Sequence, residues 1–447
     1  MKKQLVIDRL QEEILRLKAR LGYQERTAKE GPFGSSTPSA KVPLKANTAP
    51  QNGQRRGGAQ PGHRGHGRRH IPSEEVTREQ SVPGPQRCPH CGGRLDPKGS
   101  KARTIIEVDP VRKEVVRYQL EQCDCSHCHH TFTARPAGVF AKGLFGNRLL
   151  THLAVEHYLQ GVTLGRLSTH LKVSQGSLWA ALHQLARRLA TVPERLLLEY
   201  RRAPVKHADE TGWRTDGHNG YAWLFCTGWV SLFRFRQSRS GSVAKEVFGS
   251  QRLPGTLVVD RYNGYNQMPC SIQYCYAHLL REVQDLGKEF PEVSEVSQFV
   301  GSFAPLLADA IKLRTLELTP ASFSQRALEL KIDIKSLVHA SAQHPGIQKI
   351  QNIFRKRATR LYHWAKKPAI PADNNRAERE LRPLVIARKI SFGSQSEQGA
   401  ATREILMSVL HTLRKRTDDV FGAFNRALDK LAEDETRDPY KLLFDSS

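Results

Sequence analysis

Three acidic residues stand where their neighbours give no ordinary reason for a charge. Asp209 lies in HADETGWR, where alternation sets Val205, His207 and Asp209 on one face of a strand. A carboxylate on an inward face needs a compensating partner. Asp260 ends the apolar run LVVD, and the carboxyl ends of buried strands are where open sheets present their chemistry. Glu378 sits in DNNRAERELRP. Helical spacing puts Asn374, Glu378 and Leu381/Arg382 on one face and turns Glu380 away by about 200°, while Asp373 or Asn374 can cap the helix start. Taken singly, each acid reads as a surface or capping residue. Together, on adjacent elements, they suit hard Mg²⁺ or Mn²⁺ ions. Two such ions about 4 Å apart activate a water or hydroxyl and stabilise a leaving oxygen, which is what breaking a phosphodiester requires.

A second cluster is made of thiols. Cys88-Pro-His-Cys91 is followed by Gly92-Gly93, and Cys123, Cys125 and Cys128 come later. The pairs Cys88/Cys91 and Cys125/Cys128 have the spacing of a four-thiolate Zn²⁺ ribbon. Cys123 could replace Cys125, although Cys125 keeps the CxxC spacing. His127, His129 and His130 read as spectators. Between the pairs, TIIEVDPVRKEVVRYQLEQ alternates and is β-branched, as ribbon strands should be.

The chain around these clusters is strongly basic. Its 447 residues carry 69 Lys and Arg against 44 Asp and Glu, a net charge of +25. That surplus points to a polyanion, with nucleic acid first and an anionic membrane surface second. No stretch approaches the ~18 apolar residues of a membrane span. The amino-terminal MKKQLVIDRLQEE lacks the apolar core of a signal peptide. A cytoplasmic, nucleoid-associated protein is the expectation, with reduced cysteines that serve as metal ligands before disulfides.

Six segments follow from patterning. Residues 1–30 hold Ile7, Leu10, Ile14, Leu17 and Leu21 in alternating steps of three and four, the seam of a short coiled coil. Residues 31–80 form a linker; its 31–73 stretch has seven bases and no acid and cannot bury a core. Residues 81–136 are the zinc ribbon. Residues 137–202 are helical, and TLGRLSTHLKVSQGSLWAALHQLARRLA reads as helix, turn, helix, with Val173 in the turn and Ser174 as a cap. Residues 203–395 carry three sequential strands, a helix near Val243–Phe248, the strand before Asp260, and a fifth strand in IQYCYAH running into HLLREVQDLGKEF. That order is the ribonuclease-H-like α/β core, with a helical insertion at about 290–372 before a helix at 373–382. Residues 396–447 finish as helix over 403–433. The fold class is thus multidomain α+β.

At these motifs the sequence resembles the IS66 family of bacterial insertion-sequence transposases. The stretches that carry the resemblance are HADETGWR, VVDRYNGY, CYAHLLRE and NNRAERELRPLVIARKISFGSQSEQGA. The zinc ribbon and the amino-terminal helix match in order. Phe392 stands where similar sequences commonly have Gly. The resemblance implies an aspartate-aspartate-glutamate enzyme with Asp209, Asp260 and Glu378 as catalytic, metal-binding triad, separated by 51 and 118 residues. Two Mg²⁺ or Mn²⁺ ions per active site are then expected, Asp209 bridging both, Asp260 holding one and Glu378 the other. Such a site would free a 3′-hydroxyl at an element end and align it on a target phosphate.

His207, Trp213, Tyr262, Tyr265 and His278 flank the motifs and either position DNA or pack the core. Arg376, Arg379, Arg382, Arg388 and Lys389 are expected on phosphates. The partners expected are DNA, as terminal repeats and target, a second copy of the chain, and accessory proteins from the same element. The main alternative is a non-catalytic, transposase-derived repressor, which an inert Asp260→Ala substitution would favour. A nuclease on the same fold would cut without joining. A zinc-stabilised RNA-binding protein fits less well, because no aromatic RNA-binding sheet is evident.

Overall fold

The computed structural model describes residues 143–445 continuously, 136–141 just before them, short stretches at 113–120, 122–124 and 131–133, and the single residues Glu13 and Glu74. The expected coiled-coil seam, the basic stretch 31–73, and the thiols Cys88, Cys91, Cys125 and Cys128 lie outside the described residues. Two short strands, β1 (Gln122–Asp124) and β2 (Thr131–Thr133), pair antiparallel with Cys123 opposite Phe132. Residues 113–120, read from alternation as ribbon strand, have no strand pairing among the described residues. Val115 and Val116 are exposed there.

Four helices come next: α1 (Asn147–Tyr158), α2 (Leu164–Leu171), α3 (Gln175–Arg188) and α4 (Val192–Arg202). α2 buries Leu164, Leu167 and Leu171, and α3 buries Leu178, Ala181, Leu182 and Leu185. Thr163 caps α2 by accepting from the Arg166 N–H, and Ser174 caps α3 by accepting from the Ser177 N–H. Lys172 turns the chain between them in the left-handed region.

A five-stranded mixed sheet follows, in the order β5-β4-β3-β6-β7. β3 (Val205–Thr215), β4 (His218–Cys226) and β5 (Ser231–Arg236) are an antiparallel meander. Helix α5 (Gly241–Phe248) carries the chain across to β6 (Thr256–Val259), which lies parallel to β3, and β7 (Ser271–Tyr274) lies parallel to β6. Gly255 permits the β3–β6 pairing at its origin. It has φ +77°, and a Cβ there would meet the Pro204 carbonyl oxygen at 2.4 Å.

The fifth strand ends at Tyr274, and helix α6 (Tyr276–Glu289) begins before His278 rather than at it. The Tyr276 N–H is taken by the Ala372 carbonyl at 2.7 Å, which draws the backbone out of the sheet ladder. Then come α7 (Ser294–Lys312), α8 (Pro320–His339) and α9 (Pro345–Lys356). The insertion is not helical throughout, because residues 361–374 form a loop. Leu361, Tyr362 and Trp364 are buried there, and the Gln273 side chain accepts from the His363 N–H at 2.9 Å.

Helix α10 (Asn375–Ser391) is longer than the expected 373–382 and passes through Pro383. The expected 403–433 helix is two, α11 (Glu397–Leu413) and α12 (Val420–Glu433), before a short α13 (Pro439–Phe444).

Edge strand β5 is closed by α11 rather than by another strand. The N–H groups of Ser231, Phe233 and Phe235 donate to Thr412 Oγ1, Ser408 Oγ and Glu404 Oε2 at 3.0, 2.9 and 3.0 Å. Two strand residues advance about 6.6 Å and four helix residues about 6 Å, so the two repeats stay in step. A sheet edge that would otherwise template pairing with another chain is thereby blocked. No helix among the described residues is long and apolar enough to cross a membrane.

Candidate metal centre

The strand β3 is buried on both faces, and its two adjacent acids part company. Ala208 and Glu210 share a face with Phe225 and Trp223 of β4, toward α5 and Tyr265. His207, Asp209, Thr211 and Trp213 face α10 and the loop after it. There Trp213 Nε1 donates to Ser394 Oγ at 3.2 Å, and the Arg388 guanidinium donates to Thr211 Oγ1 at 3.3 Å and the Gly212 carbonyl at 2.8 Å.

Asp209 is 5% exposed. Its Oδ1 accepts the Glu210 N–H at 2.9 Å. Burial holds its pKa well above the ordinary carboxylate range, and the charges of Glu210, Asp260 and Glu378 push in the same direction. Asp260 follows the last residue of β6, beside β3 in the sheet, and its Oδ1 accepts the Tyr262 N–H at 2.9 Å. Glu378 lies in the first turn of α10. The three acids from β3, the end of β6 and α10 thus come within range of mutual repulsion.

Two further side chains belong to this cluster. Cys275, His278 and Glu378 bring one donor atom each to within 4.8 Å of one another. His278 Nδ1 stands 3.8 Å from Glu378 Oε1, too far for a hydrogen bond. Both His278 nitrogens and Glu378 Oε1 are sealed from solvent with no hydrogen-bond partner among the described residues. Burial lowers the His278 pKa, against the pull of the Asp260 and Glu378 charges. Burial pushes the Cys275 thiol up to about 12. Buried donors left unpaired, facing carboxylates that repel one another, fit a divalent cation.

Asn374 sets the helix that carries Glu378. It stands at the cap position, yet its side chain makes no cap bond. Its Nδ2 donates to the Ala208 carbonyl at 2.9 Å, and its Oδ1 accepts from His207 Nδ1 at 2.9 Å. Asp373 serves the helix start instead, accepting the Asn375 N–H at 2.9 Å. Glu380 turns away to Lys415 and Ser231, each at 2.8 Å.

Glu210 was not singled out from the sequence. It is 1% exposed, ion-paired to Arg239 at 2.7 Å and hydrogen-bonded by the Tyr265 hydroxyl at 2.5 Å. Burial and the charge of Asp260 raise its pKa to about 7, against the pull of Arg239 and Tyr265. Arg239 also stacks on Tyr262 at 4.2 Å, tying the loop after Asp260 to β3 through Glu210. An acid next to Asp209 on a strand buried on both faces was the available signal, but its partners lie 29 and 55 residues away.

The expected phosphate contacts divide. Arg376, Arg379, Arg382 and Lys389 are exposed along α10, whereas Arg388 is half-buried and held by β3.

A model of the Transposase IS66 family matches residues 142–402, more than half of the chain. The chain belongs to the IS66 transposase family. The matched span runs from before α1 into α11 and contains Asp209, Asp260 and Glu378. A model of the zinc-finger binding domain of transposase IS66 matches residues 85–129, where the two CxxC pairs lie. The chain is also similar to two proteins of Sinorhizobium fredii (strain NBRC 101917 / NGR234). One is the uncharacterized protein y4qI, 26% identical over 67% of this chain and 62% of that protein. The other is the uncharacterized protein y4jD, 23% identical over 88% of this chain and 84% of that protein. The chain therefore spans a little under two thirds of the first relative.

Proposed function

We propose that this IS66-family protein cuts and joins DNA at the ends of its element, with Asp209, Asp260 and Glu378 as the metal-binding triad. The observation that carries this reading is the convergence of the three carboxylates from β3, the end of β6 and α10. Asp260 and Glu378 each bear on the charge of Asp209 within the family-matched span. Bound Mg²⁺ or Mn²⁺ would supply Lewis acidity to the attacking and leaving oxygens. We read the sheet as ribonuclease-H-like because an antiparallel meander of three strands precedes two parallel strands in the order β5-β4-β3-β6-β7.

The chain's own residues do the rest. Asn374 sets the register of α10 against β3. Glu210, with Arg239 and Tyr265, fixes the loop that follows Asp260. The exposed bases of α10 track phosphates beside the acids. The α2–α3 pair and the zinc finger recognise element ends, and the amino-terminal segment pairs two copies, since joining two ends needs at least two.

The test is cleavage of labelled element-end DNA by the purified chain with Mg²⁺ or Mn²⁺, beside Asp209→Ala, Asp260→Ala and Glu378→Ala. Metal-dependent nicking lost in all three variants supports the reading. A wild-type protein that binds ends but cuts nothing with either metal, alone or with the accessory proteins of its element, would overturn it in favour of a repressor.

A further inference from the structure

The triad accounts for three carboxylates but leaves an imidazole beside Glu378 without a hydrogen-bond partner among the described residues. His278 lies in the first turn of α6, immediately after β7, the strand next to β6 and Asp260. Its ring is one-fifth exposed, yet both nitrogens are buried and unbonded among the described residues. Leaving both in that state is costly unless something else engages them. Glu378 Oε1, at 3.8 Å, has the same deficit. That separation is too long for a hydrogen bond and short enough for both donors to touch one ion.

The placement is held from both sides. The Asn374 N–H donates to Cys275 Sγ at 3.1 Å, and the Tyr276 N–H donates to the Ala372 carbonyl at 2.7 Å. These bonds register the start of α6 against the chain entering α10, and so His278 against Glu378. The Cys275 sulfur is occupied by that contact and is a poor ligand for a hard cation. Of the three clustered residues, imidazole and carboxylate remain.

The geometry points to His278 as a fourth protein ligand of the metal centre, sharing a cation with Glu378 and making that position a mixed nitrogen–oxygen site. This inference rests on the functional reading above. A site of oxygens alone takes Mg²⁺ well, whereas an imidazole favours transition metals, Mn²⁺ being the weakest of them. The position shared by His278 and Glu378 should therefore prefer Mn²⁺ to Mg²⁺ by more than the carboxylates alone would give.

The experiment uses the full, zinc-loaded chain with substoichiometric Mn²⁺ and no DNA. Electron paramagnetic resonance of free Mn²⁺ gives the affinity, and pulsed measurements of the bound ion report directly coordinated nitrogen. The proteins are wild type, His278→Ala, His278→Gln and Glu378→Gln, each checked for retained helix content and zinc. We expect nitrogen coupling in the wild type and none in either His278 variant. Mn²⁺ affinity should fall about tenfold or more in those variants, with Mg²⁺ competition changing less. If Mn²⁺ binds without nitrogen coupling, or coupling and affinity survive in both His278 variants, while Glu378→Gln weakens binding, the His278 ligand is refuted and the triad reading stands. If Glu378→Gln also leaves binding unchanged, both fail.

Discussion

Asn374 bridges from the start of α10 to β3, receiving a hydrogen bond from His207 Nδ1 and giving one to the Ala208 carbonyl, both at 2.9 Å. One buried amide thus fixes the distance between the strand that carries Asp209 and the helix that carries Glu378. Asn374→Ala would leave a buried imidazole and a buried carbonyl unpaired. The expected cost is about 1–3 kcal/mol of stability. Because misplacing a catalytic group by about 1 Å can cost on the order of a hundredfold, cleavage should fall well beyond what lost folding explains. Denaturant midpoints and single-turnover cleavage at a fully folded temperature separate the two. A variant with the expected stability loss but wild-type cleavage would show that α10 is positioned by other contacts.

Asp209 is buried among like charges and gains from a cation or from losing its own charge. Asp209→Asn keeps the oxygen that accepts the Glu210 N–H. In metal-free buffer at pH 7.5 the variant should melt higher than wild type. A chain this size moves roughly 1–2 °C for each kcal/mol. Millimolar Mg²⁺ should then raise the wild type and leave the variant nearly unmoved. An equal response of both proteins to Mg²⁺ would place the ion elsewhere.

Burial keeps three histidines neutral: His157 and His411 are lowered to about 3 and His207 to about 4. The unfolded chain takes up these protons near pH 6.5, and the folded chain does not. Their contribution is complete above pH 6.5 and is lost as pH falls toward 3–4. Each withdraws about 2 kcal/mol by pH 5. Asp209 and Glu210 are shifted upward and act with the opposite sign, so a single-site comparison is cleaner. His411 Nε2 bonds the Tyr158 carbonyl, Arg414 donates to its Nδ1, and Lys415 adds positive charge. His411→Asn keeps one donor and one acceptor without a titrating proton. Its stability should fall less steeply than wild type between pH 6.5 and 5, and parallel curves would refute the assignment.

What the sequence conveyed was local. Period-two runs marked the strands, and Ser174 was readable as a cap because capping involves residues three apart. Partners distant in the chain were not readable. Asn374 looked like a helix cap, whereas its side chain serves β3, 166 and 167 residues back. Glu210 and His278 gained meaning only when Tyr265, Arg239 and Glu378 came beside them. The 403–433 periodicity continued across a break at 414–419, because both helices bury an apolar face against the same core.

Phe392 ends α10 in the left-handed region, with φ 58° and a ring 72% exposed. A non-glycine residue there costs about 1–2 kcal/mol, and so exposed a ring regains little by burial. Gly393 follows at φ 135°, where a Cβ would meet the Arg214 carbonyl oxygen at 2.2 Å, so position 393 must stay glycine. Phe392→Gly should stabilise the chain by up to about 1 kcal/mol after the added entropy of the unfolded glycine. A loss of stability would mean that the ring packs against something in solution.

The bases of α10 should separate by function in a salt titration of DNA binding. Arg376, Arg379, Arg382 and Lys389 recur at steps of three, three and seven, which keeps them along one exposed side of the helix. Each phosphate contact contributes about 0.9 to the slope of log affinity against log salt on duplex DNA. Arg379→Ala and Arg382→Ala should each flatten that slope by about one and leave thermal stability within about 0.5 kcal/mol of wild type. Arg388 is spent on the Gly212 carbonyl and Thr211. Arg388→Ala should therefore lower stability by about 1–2 kcal/mol with an unchanged slope. A reversed pattern, with Arg388 setting the slope and Arg379 and Arg382 silent, would move the DNA path from the outer side of α10 to the groove between α10 and β3.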